Sequence, residues 1–437
     1  MENTINTRSI ILDILIEINE KGMYSNIILR NALAKYRYLQ HSDRAFISRV
    51  VKGTVERKIT LDYCINSLSK VKINKMKPVI RNILRMSAYQ IIFMDSVTDY
   101  AVCNEAVKLA RSRKFVNLGG FVNGVLRNLC REKDDLLDEN KMTDSIRYST
   151  PEWLVDYWKE AYGEDKAKEL LKSQYTKRCL SIRCNTTKCS PKELADLLEK
   201  QGIKVTVPGY PAEALLIEDY DYIEKLDEFN KGYFTIQDIS SMLVGSILNP
   251  PENAIVMDVC AAPGSKTTHV AELLKGRGRV ISRDLTEQKV ALIEENLERL
   301  DLKNVKTECF DARITDEEYI GIADAVIADL PCSGLGIIGR KPDIKYNMNR
   351  ESMDSLAELQ REILRAVSAY VKPGGKLIYS TCTLNPRENK ENAEWIARTL
   401  PFEAADLQIE GAVGNTFEIF PDDTHDGFFI SAFVRKE

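Results

Sequence analysis

Several features that would assign a chain to a specialised class are missing from this sequence of 437 residues. No apolar run approaches the roughly 18 residues that a membrane-spanning helix needs, so a membrane-spanning protein is excluded. Glycine and proline number only 22 and 14, which is too few for a fibrous or disordered chain. Near the N-terminus, Asp13, Glu17 and Glu20 interrupt the apolar stretch that a secretory signal needs, so we expect a cytoplasmic protein.

Metal-binding patterns are equally scarce. The ten cysteines lack the dense spacing of a disulfide-stabilised scaffold, and Cys179, Cys184 and Cys189 recur at five-residue intervals without a second group of ligands. The three histidines form no cluster in the sequence: His41, His269 and His425. We therefore predict reduced thiols and no bound metal.

Charge is distributed unevenly along the chain. Residues 1–133 carry 23 lysines and arginines against 11 acidic residues, a net charge of +12, whereas the remainder carries −16. Four of these lysines lie in residues 70–77, and a second basic group follows: Arg111, Arg113, Lys114, Arg127 and Arg131. A basic module is typical of a part that contacts phosphates, although a solvated helical surface explains the same charges.

Three segments differ in their hydrophobic pattern. Residues 1–140 have the apolar periodicity of helices and predict an all-α domain that ends in the acidic linker EKDDLLDENK. Residues 141–235 mix helix and strand and predict a small α+β connecting domain. From 236 to 437 strands and helices alternate, which predicts an α/β domain with a Rossmann-like, doubly wound sheet and a terminal antiparallel pair of strands. Its ligand is expected at the carboxyl ends of the strands.

A turn of small residues, CAAPGSK, follows the first apolar strand of this third segment and precedes a helix. Backbone N–H groups in such a turn can approach a ligand closely. Asp284 comes 20 residues after Gly264, where a carboxylate can accept both hydroxyls of a ribose, and Asp311 and Asp329 end the next two strands. The turn matches neither GxGxxG nor GxxxxGK[ST], so a ribose-bearing cofactor without a long polyphosphate is predicted, and S-adenosyl-L-methionine fits. The predicted cofactor-binding residues are Cys260, Ala261, Ala262, Pro263, Gly264, Ser265, Lys266, Asp284, Asp311 and Asp329.

Two cysteines lie at the ends of successive strands. Cys332 is in a Pro/Ser/Gly turn beyond the fourth strand, and Cys382 is between two threonines at the end of the fifth. In a sheet of order 3-2-1-4-5 these strands are neighbours, about 4.8 Å apart, so both thiols are expected to face one crevice beside the cofactor. Free cysteine is often a buried apolar filler, but neither setting is typical of a core. The pattern therefore predicts at least one catalytic thiol.

The chain contains motifs that closely match those of the RNA cytosine-5 methyltransferases: CAAPGSK, DLPCSG, RKPDIKY, LQREIL and YSTCTLNPRENKEN. Three upstream segments look like a NusB-type helical domain: SDRAFISRVVKGTVERK, RNILRMSAYQIIFM and GGFVNGVLRN. The combination resembles the bacterial methyltransferases of small-subunit (16S) ribosomal RNA over nearly the whole chain. The chain departs from the usual motifs at Ser265, Leu330 and Thr383, where glycine, alanine and serine are common.

The resemblance implies that the protein methylates C5 of a cytosine with S-adenosyl-L-methionine. It assigns addition at C6 to Cys382, a hydrogen bond to N3 or N4 of the base to Asp329, and assistance in removing the C5 proton to Cys332. The target cytosine must be unpaired or flipped out of its stack. Candidate RNA contacts follow the Pro-Cys turn: Arg340, Lys341 and Lys345.

Three alternatives remain open. A DNA cytosine methyltransferase uses the Pro-Cys thiol as nucleophile and needs no second thiol, so the second one at Cys382 favours RNA. Another RNA, such as tRNA, could be the substrate, and a non-catalytic RNA-binding assembly factor could retain the same fold. We expect a monomer that binds ribosomal RNA, with neither a membrane nor a metal as partner.

Overall fold

Residues 6–220 and 222–437 are described by the computed structural model. The chain divides into two units, of which the first joins the residues up to 174 to residues 338–347. The second unit comprises residues 175–337 and 348–437. Within the described residues, no helix combines the length and the apolar character needed to cross a membrane.

The first unit is helical, and its core surrounds one long central helix. Its helices are α1 (Thr7–Lys21), α2 (Ser25–Lys35), α3 (His41–Glu56), α4 (Lys58–Leu68), α5 (Pro78–Phe93), α6 (Asp99–Ser112), α7 (Gly119–Leu136), α8 (Asp144–Arg147), α9 (Glu152–Tyr162) and α10 (Glu164–Ser173). Helix α5 begins at Pro78, a residue that suits the first turn, and contacts α1, α3, α4, α6 and α7. Buried polar side chains of α5 are paired at several positions, as in the two hydrogen bonds of Arg85 to Asp62.

The second unit contains a small four-stranded sheet. Its elements and those that follow them are β1 (Leu180–Cys184), α11 (Pro191–Glu199), β2 (Lys204–Thr206), β3 (Ala214–Glu218), α12 (Asp227–Asn230), β4 (Phe234–Ile236) and α13 (Ile239–Leu248). The strands are antiparallel in the order β2-β3-β1-β4. Ser190 and Glu193 form a capping box that starts α11, whose apolar face packs on the sheet.

The same unit contains a larger, mostly parallel sheet. Its elements are β5 (Ile255–Asp258), α14 (Ser265–Leu273), β6 (Arg279–Asp284), α15 (Glu287–Leu300), β7 (Val305–Cys309), β8 (Ala323–Asp329), α17 (Arg350–Val367), β9 (Val371–Thr381), α18 (Lys390–Thr399), β10 (Phe402–Ala404), β11 (Thr416–Ile419) and β12 (Phe428–Arg435). The short helix α16 (Ile344–Asn347) belongs to the first unit.

The strand order of this sheet is β10-β12-β9-β8-β5-β6-β7, with β11 paired to β12. Strands β5 to β9 are parallel and β12 runs antiparallel to β9, which confirms the predicted order and the predicted terminal pair. Alternate residues of the strands face two helical layers: Val326 packs towards α17 and α18, whereas Ile327 packs towards α13, α14 and α15. The sheet is therefore doubly wound, and its carboxyl edge collects the predicted site residues.

Candidate active site

The turn between β5 and α14 brings backbone groups to the carboxyl edge of the sheet. Gly264 has a φ of +99°, a conformation that favours glycine, and a Cβ at this position would lie 3.1 Å from Cγ2 of Ile293. The Ala261 N–H donates to the carbonyl of Arg283 at 2.8 Å, which anchors the turn to β6. The turn is therefore packed closely against α15 and fixed at the carboxyl edge of the sheet.

Acidic residues lie at or just beyond the ends of β6 and β7, the two strands that follow this turn. Asp284 is buried and accepts hydrogen bonds from the N–H groups of Ala262 at 2.9 Å and Leu285 at 2.7 Å. Asp311 is half-buried and accepts from the Arg313 guanidinium through both oxygens, which lowers the pKa of Asp311. Both carboxylates lie at the predicted edge of the sheet.

Asp258, at the end of β5, is a candidate cofactor residue that the sequence analysis did not name. Its Oδ2 accepts from Thr267 Oγ1 at 2.7 Å, whereas the buried Oδ1 has no hydrogen-bond partner. Burial raises the pKa of Asp258 to about 7. An unpartnered buried oxygen at this edge fits a polar ligand group, and the available signal was its place at a strand end, like that of Asp284.

Asp329, at the end of β8, is held by two side chains from neighbouring elements. Its Oδ2 lies 2.6 Å from Nζ of Lys266 and its Oδ1 accepts from Oγ of Ser380 at 2.8 Å. Burial alone would lower the pKa of Lys266, but attraction to Asp329 outweighs it and raises that pKa above its usual value. A fixed ammonium–carboxylate pair thus joins the start of α14 to the tip of β8.

The two predicted cysteines meet at the same edge. The Sγ atoms of Cys332 and Cys382 are 3.4 Å apart, and both residues are half-buried. A hydrogen bond with Cys382, together with burial, raises the pKa of Cys332 well above its ordinary value. The predicted approach of the two thiols is confirmed, and their chemical roles stay predictions.

The basic residues after the Pro-Cys turn do not behave alike. Lys345 is fully buried, and its Nζ donates to the carbonyl of Glu56 and to Oε1 of Gln174, each at 3.1 Å. Burial lowers the pKa of Lys345 to about 7. The prediction that Lys345 contacts RNA is wrong, because its side chain is enclosed in the first unit. Arg340 and Lys341 are half-buried and remain candidates.

No group of three or more histidine, cysteine or acidic side chains is arranged to hold a metal ion in residues 6–220 and 222–437.

In the first unit, the four lysines of residues 70–77 are all exposed. Positive charge is therefore available on the helical surface where the sequence predicted it.

Comparison with family models divides the chain into three matched parts. A model described as 16S rRNA methyltransferase RsmB/F matches residues 245–434. The NusB family model matches residues 5–131, and the model of an RsmF/B-like ferredoxin-like domain matches residues 150–223. The helical, small-sheet and large-sheet regions thus correspond to three known domain types.

Whole-chain relatives and solved structures agree with this division. The sequence is 35% identical to the "Probable ribosomal RNA small subunit methyltransferase B" of Bacillus subtilis, with 98% of each chain covered. It is 29% identical to the ribosomal RNA small subunit methyltransferase B of Proteus mirabilis, with 100% of each covered. The crystal structure of NSun6 from Pyrococcus horikoshii with SFG matches with a TM-score of 0.58 and 25% identity, over 66% of this chain and 98% of that one. A methyltransferase homolog protein from Pyrococcus horikoshii matches with a TM-score of 0.59 and 26% identity, over 68% of this chain and 100% of that one.

Proposed function

Because the chain belongs to the 16S rRNA methyltransferase RsmB/F family, we propose that it methylates C5 of one cytosine in 16S ribosomal RNA with S-adenosyl-L-methionine, in the cytoplasm. The observation that carries the proposal is the 3.4 Å approach of the Cys332 and Cys382 sulfur atoms at the tips of two adjacent parallel strands. Two converging thiols suit a reaction in which one sulfur adds to the pyrimidine and a second group assists its release.

The first thiol makes C5 of cytosine reactive. The thiolate of Cys382 adds to C6, and the electron pair of the C5–C6 double bond moves towards C5 and N3. Asp329, at the end of the adjacent strand β8, would hydrogen-bond N3 or N4 and so stabilise the base as N3 gains a proton. Lys266 and Ser380 hold that carboxylate in place, so little reorganisation is needed during the reaction.

The turn and the strand ends fit the methyl donor. S-adenosyl-L-methionine, when bound, supplies an electrophilic methyl group on a sulfonium. The small side chains of the turn would let the ligand reach the backbone N–H groups there. Asp284 would accept hydrogen bonds from the ribose hydroxyls, and Oδ1 of Asp258, which has no partner in the structure, would accept one from a polar group of the ligand. The similar NSun6 structure holds SFG, which is an analogue of this cofactor, and this supports the proposal.

Release requires that the C5 proton leave and that the S–C6 bond break. While Cys382 is a thiolate, the adjacent Cys332 retains its proton, because its pKa is raised chiefly by Cys382. Once the sulfur of Cys382 is bonded to carbon, the part of that shift caused by Cys382 is removed and the pKa of Cys332 falls, although burial still raises it. Cys332 can then lose its thiol proton to solvent and, as a thiolate, accept the proton from C5. The electron pair of the C5–H bond restores the C5–C6 double bond, the S–C6 bond breaks so that Cys382 leaves as a thiolate, and N3 returns its proton to solvent.

Two substitutions test this assignment on a 16S RNA fragment with cytidine tritiated at C5. C382A should abolish both tritium release and the covalent RNA adduct, whereas C332A should accumulate an adduct that survives denaturing electrophoresis. The reverse pattern would exchange the two roles. Tritium release from tRNA or DNA, but not from the 16S fragment, would contradict the proposed substrate.

A further inference from the structure

A buried carboxylate lies behind the two thiols. Glu388, in the turn between β9 and α18, has no exposed surface and accepts four hydrogen bonds. Its Oε1 accepts from Oγ of Ser333 and, at 2.7 Å, from Nδ2 of Asn385. Its Oε2 accepts from the N–H of Ser333 at 3.0 Å and from Nε2 of Gln360 at 2.8 Å. Both oxygens are therefore fully used.

These hydrogen bonds connect the two cysteine-bearing segments. Ser333 directly follows Cys332, and its Oγ lies 2.7 Å from Oγ1 of Thr383, which directly follows Cys382. Gln360 donates both to Glu388 and, at 2.8 Å, to the carbonyl of Pro331, which directly precedes Cys332. The residues on both sides of Cys332 are thus attached, directly or through Gln360, to one carboxylate.

The two cysteines differ in how much other support they have. Cys382 follows directly on β9, which is paired on both sides, with β8 and with β12. Cys332 lies in the irregular segment after β8 and has no strand partner of its own.

The buried carboxylate of Glu388 is costly to desolvate, and here it is satisfied by neighbouring donors. Burial raises the pKa of Glu388, and the four donors oppose that effect.

We propose that Glu388 is a positioning residue that holds the Cys332 turn against the end of β9 and so sets the distance between the two sulfur atoms. The inference rests on the proposed function, because it assumes that both thiols act on one cytosine. Glu388 acts through Ser333 and Gln360 and does not contact the RNA. Its loss should disturb Cys332 more than Cys382, and hence adduct release more than adduct formation.

The variant E388Q tests this asymmetry because it keeps the shape of the side chain but replaces one acceptor oxygen with a donor. At least one of the four groups that now donate to Glu388 would then point at the NH2 group of the glutamine and lose its hydrogen bond. With the full chain and the 16S fragment, single-turnover measurements should show adduct breakdown slowed by about 10- to 100-fold and adduct formation by less than about threefold. In the C332A background, E388Q should have no further effect on breakdown. The control E391Q changes an exposed glutamate of the same segment and should match the wild type.

Equal slowing of formation and breakdown, retained in the C332A background, would overturn the proposal in favour of a general structural role. An unchanged breakdown rate in E388Q would overturn it as well. Should E388Q fail to fold, S333A removes the two Oγ contacts and leaves the Ser333 N–H bond to Glu388. S333A should then slow breakdown in the same direction but by a smaller factor, and an unchanged rate would again overturn the proposal.

A second measurement needs no RNA and separates this inference from the proposed function. Diamide oxidises two adjacent thiols to a disulfide and takes up both hydrogens itself. E388Q should slow the formation of the Cys332–Cys382 disulfide by about fivefold or more, as followed by peptide mass spectrometry. The Cys184–Cys189 pair in the same sample, with its sulfur atoms 3.7 Å apart, is the internal control and should react at an unchanged rate. An equal change at both pairs, or none at either, would contradict the positioning role even if methylation itself is verified.

Discussion

Two pairs of neighbouring thiols in the second unit have nearly the same sulfur separation but very different surroundings. The Sγ atoms of Cys332 and Cys382 are 3.4 Å apart, and those of Cys184 and Cys189 are 3.7 Å apart. The first pair joins residues 50 positions apart at the carboxyl edge of a parallel sheet. The second joins residues five positions apart beside the small antiparallel sheet, where Cys184 is part of the apolar core.

The difference shows that proximity of two thiols does not define a catalytic centre. Beside the strand-tip pair lie Asp329 and Lys266, a carboxylate and an ammonium that can respond to charge developing on a base. The sulfur of Cys184 instead donates to the carbonyl of Cys189 at 3.4 Å. The strand-tip pair thus lies beside an ion pair at the carboxyl edge of the large sheet, whereas Cys184 of the small-sheet pair belongs to an apolar core.

The difference between the two thiol pairs is tested most directly by removing one thiol from each pair. C382A should lower methyl transfer by about 10³-fold or more, because it removes the thiol to which the bond with C6 is assigned. C184A should leave the turnover number within about twofold of the wild type, because its effect is confined to packing. Methyl incorporation into the 16S fragment measures both. Comparable losses in the two variants would remove the distinction between the pairs.

A smaller effect is expected when the carboxylate beside the strand-tip pair is neutralised. D329N should lower the turnover number by about 10²-fold, because the ion pair with Lys266 is lost and one acceptor oxygen is replaced by a donating NH2 group. The matched control is D324N at the opposite end of β8, where the carboxylate accepts from the N–H of Ile255 at 2.8 Å. D324N should keep its turnover number and lose some thermal stability. Similar losses of turnover in both variants would indicate a general effect of charge on the strand.

The pKa shifts of the two pairs predict different alkylation by iodoacetamide. Only the thiolate reacts, and the pKa of Cys332 is raised by its hydrogen bond with Cys382 and by burial, so its labelling should rise about tenfold per pH unit through pH 9. A hydrogen bond with Cys184 lowers the pKa of Cys189, so the labelling of Cys189 should level off at a lower pH than that of Cys332. Peptide mass spectrometry over a pH series measures each rate. A plateau for Cys332 below pH 8 would contradict the prediction.

The sequence was sufficient to predict which site residues lie at the ends of neighbouring parallel strands. Parallel strands place their carboxyl ends at one edge, so the alternation of strands and helices was sufficient to bring Cys332, Cys382 and Asp329 together. The domain boundaries at 140 and 235 stay predictions. The family models and the two structural units divide the chain by different criteria.

Features that depend on contacts between distant residues could not be predicted in this way. The burial of Lys345 follows from its contact with Glu56, which is 289 positions away, and no local pattern distinguishes it from the neighbouring Lys341. Glu388 similarly owes its setting to Ser333, 55 positions earlier. The local sequence is the same for a lysine that is exposed to solvent and for one that is buried and hydrogen-bonded. Only the packed fold distinguishes the two states.

The smallest expected effect lies within the small-sheet pair itself. C184S places a hydroxyl in an apolar cluster with Ile182 and Leu194 and should lower the free energy of unfolding by about 1–3 kcal/mol. C189S alters a half-buried position, where water can satisfy the hydroxyl, and should cost less than about 1 kcal/mol. Urea unfolding of the full chain, followed by the fluorescence of its tryptophans, compares the two. A larger loss of unfolding free energy in C189S than in C184S would contradict this expectation. It would mean that the apolar packing of Cys184 is not what stabilises the small-sheet pair.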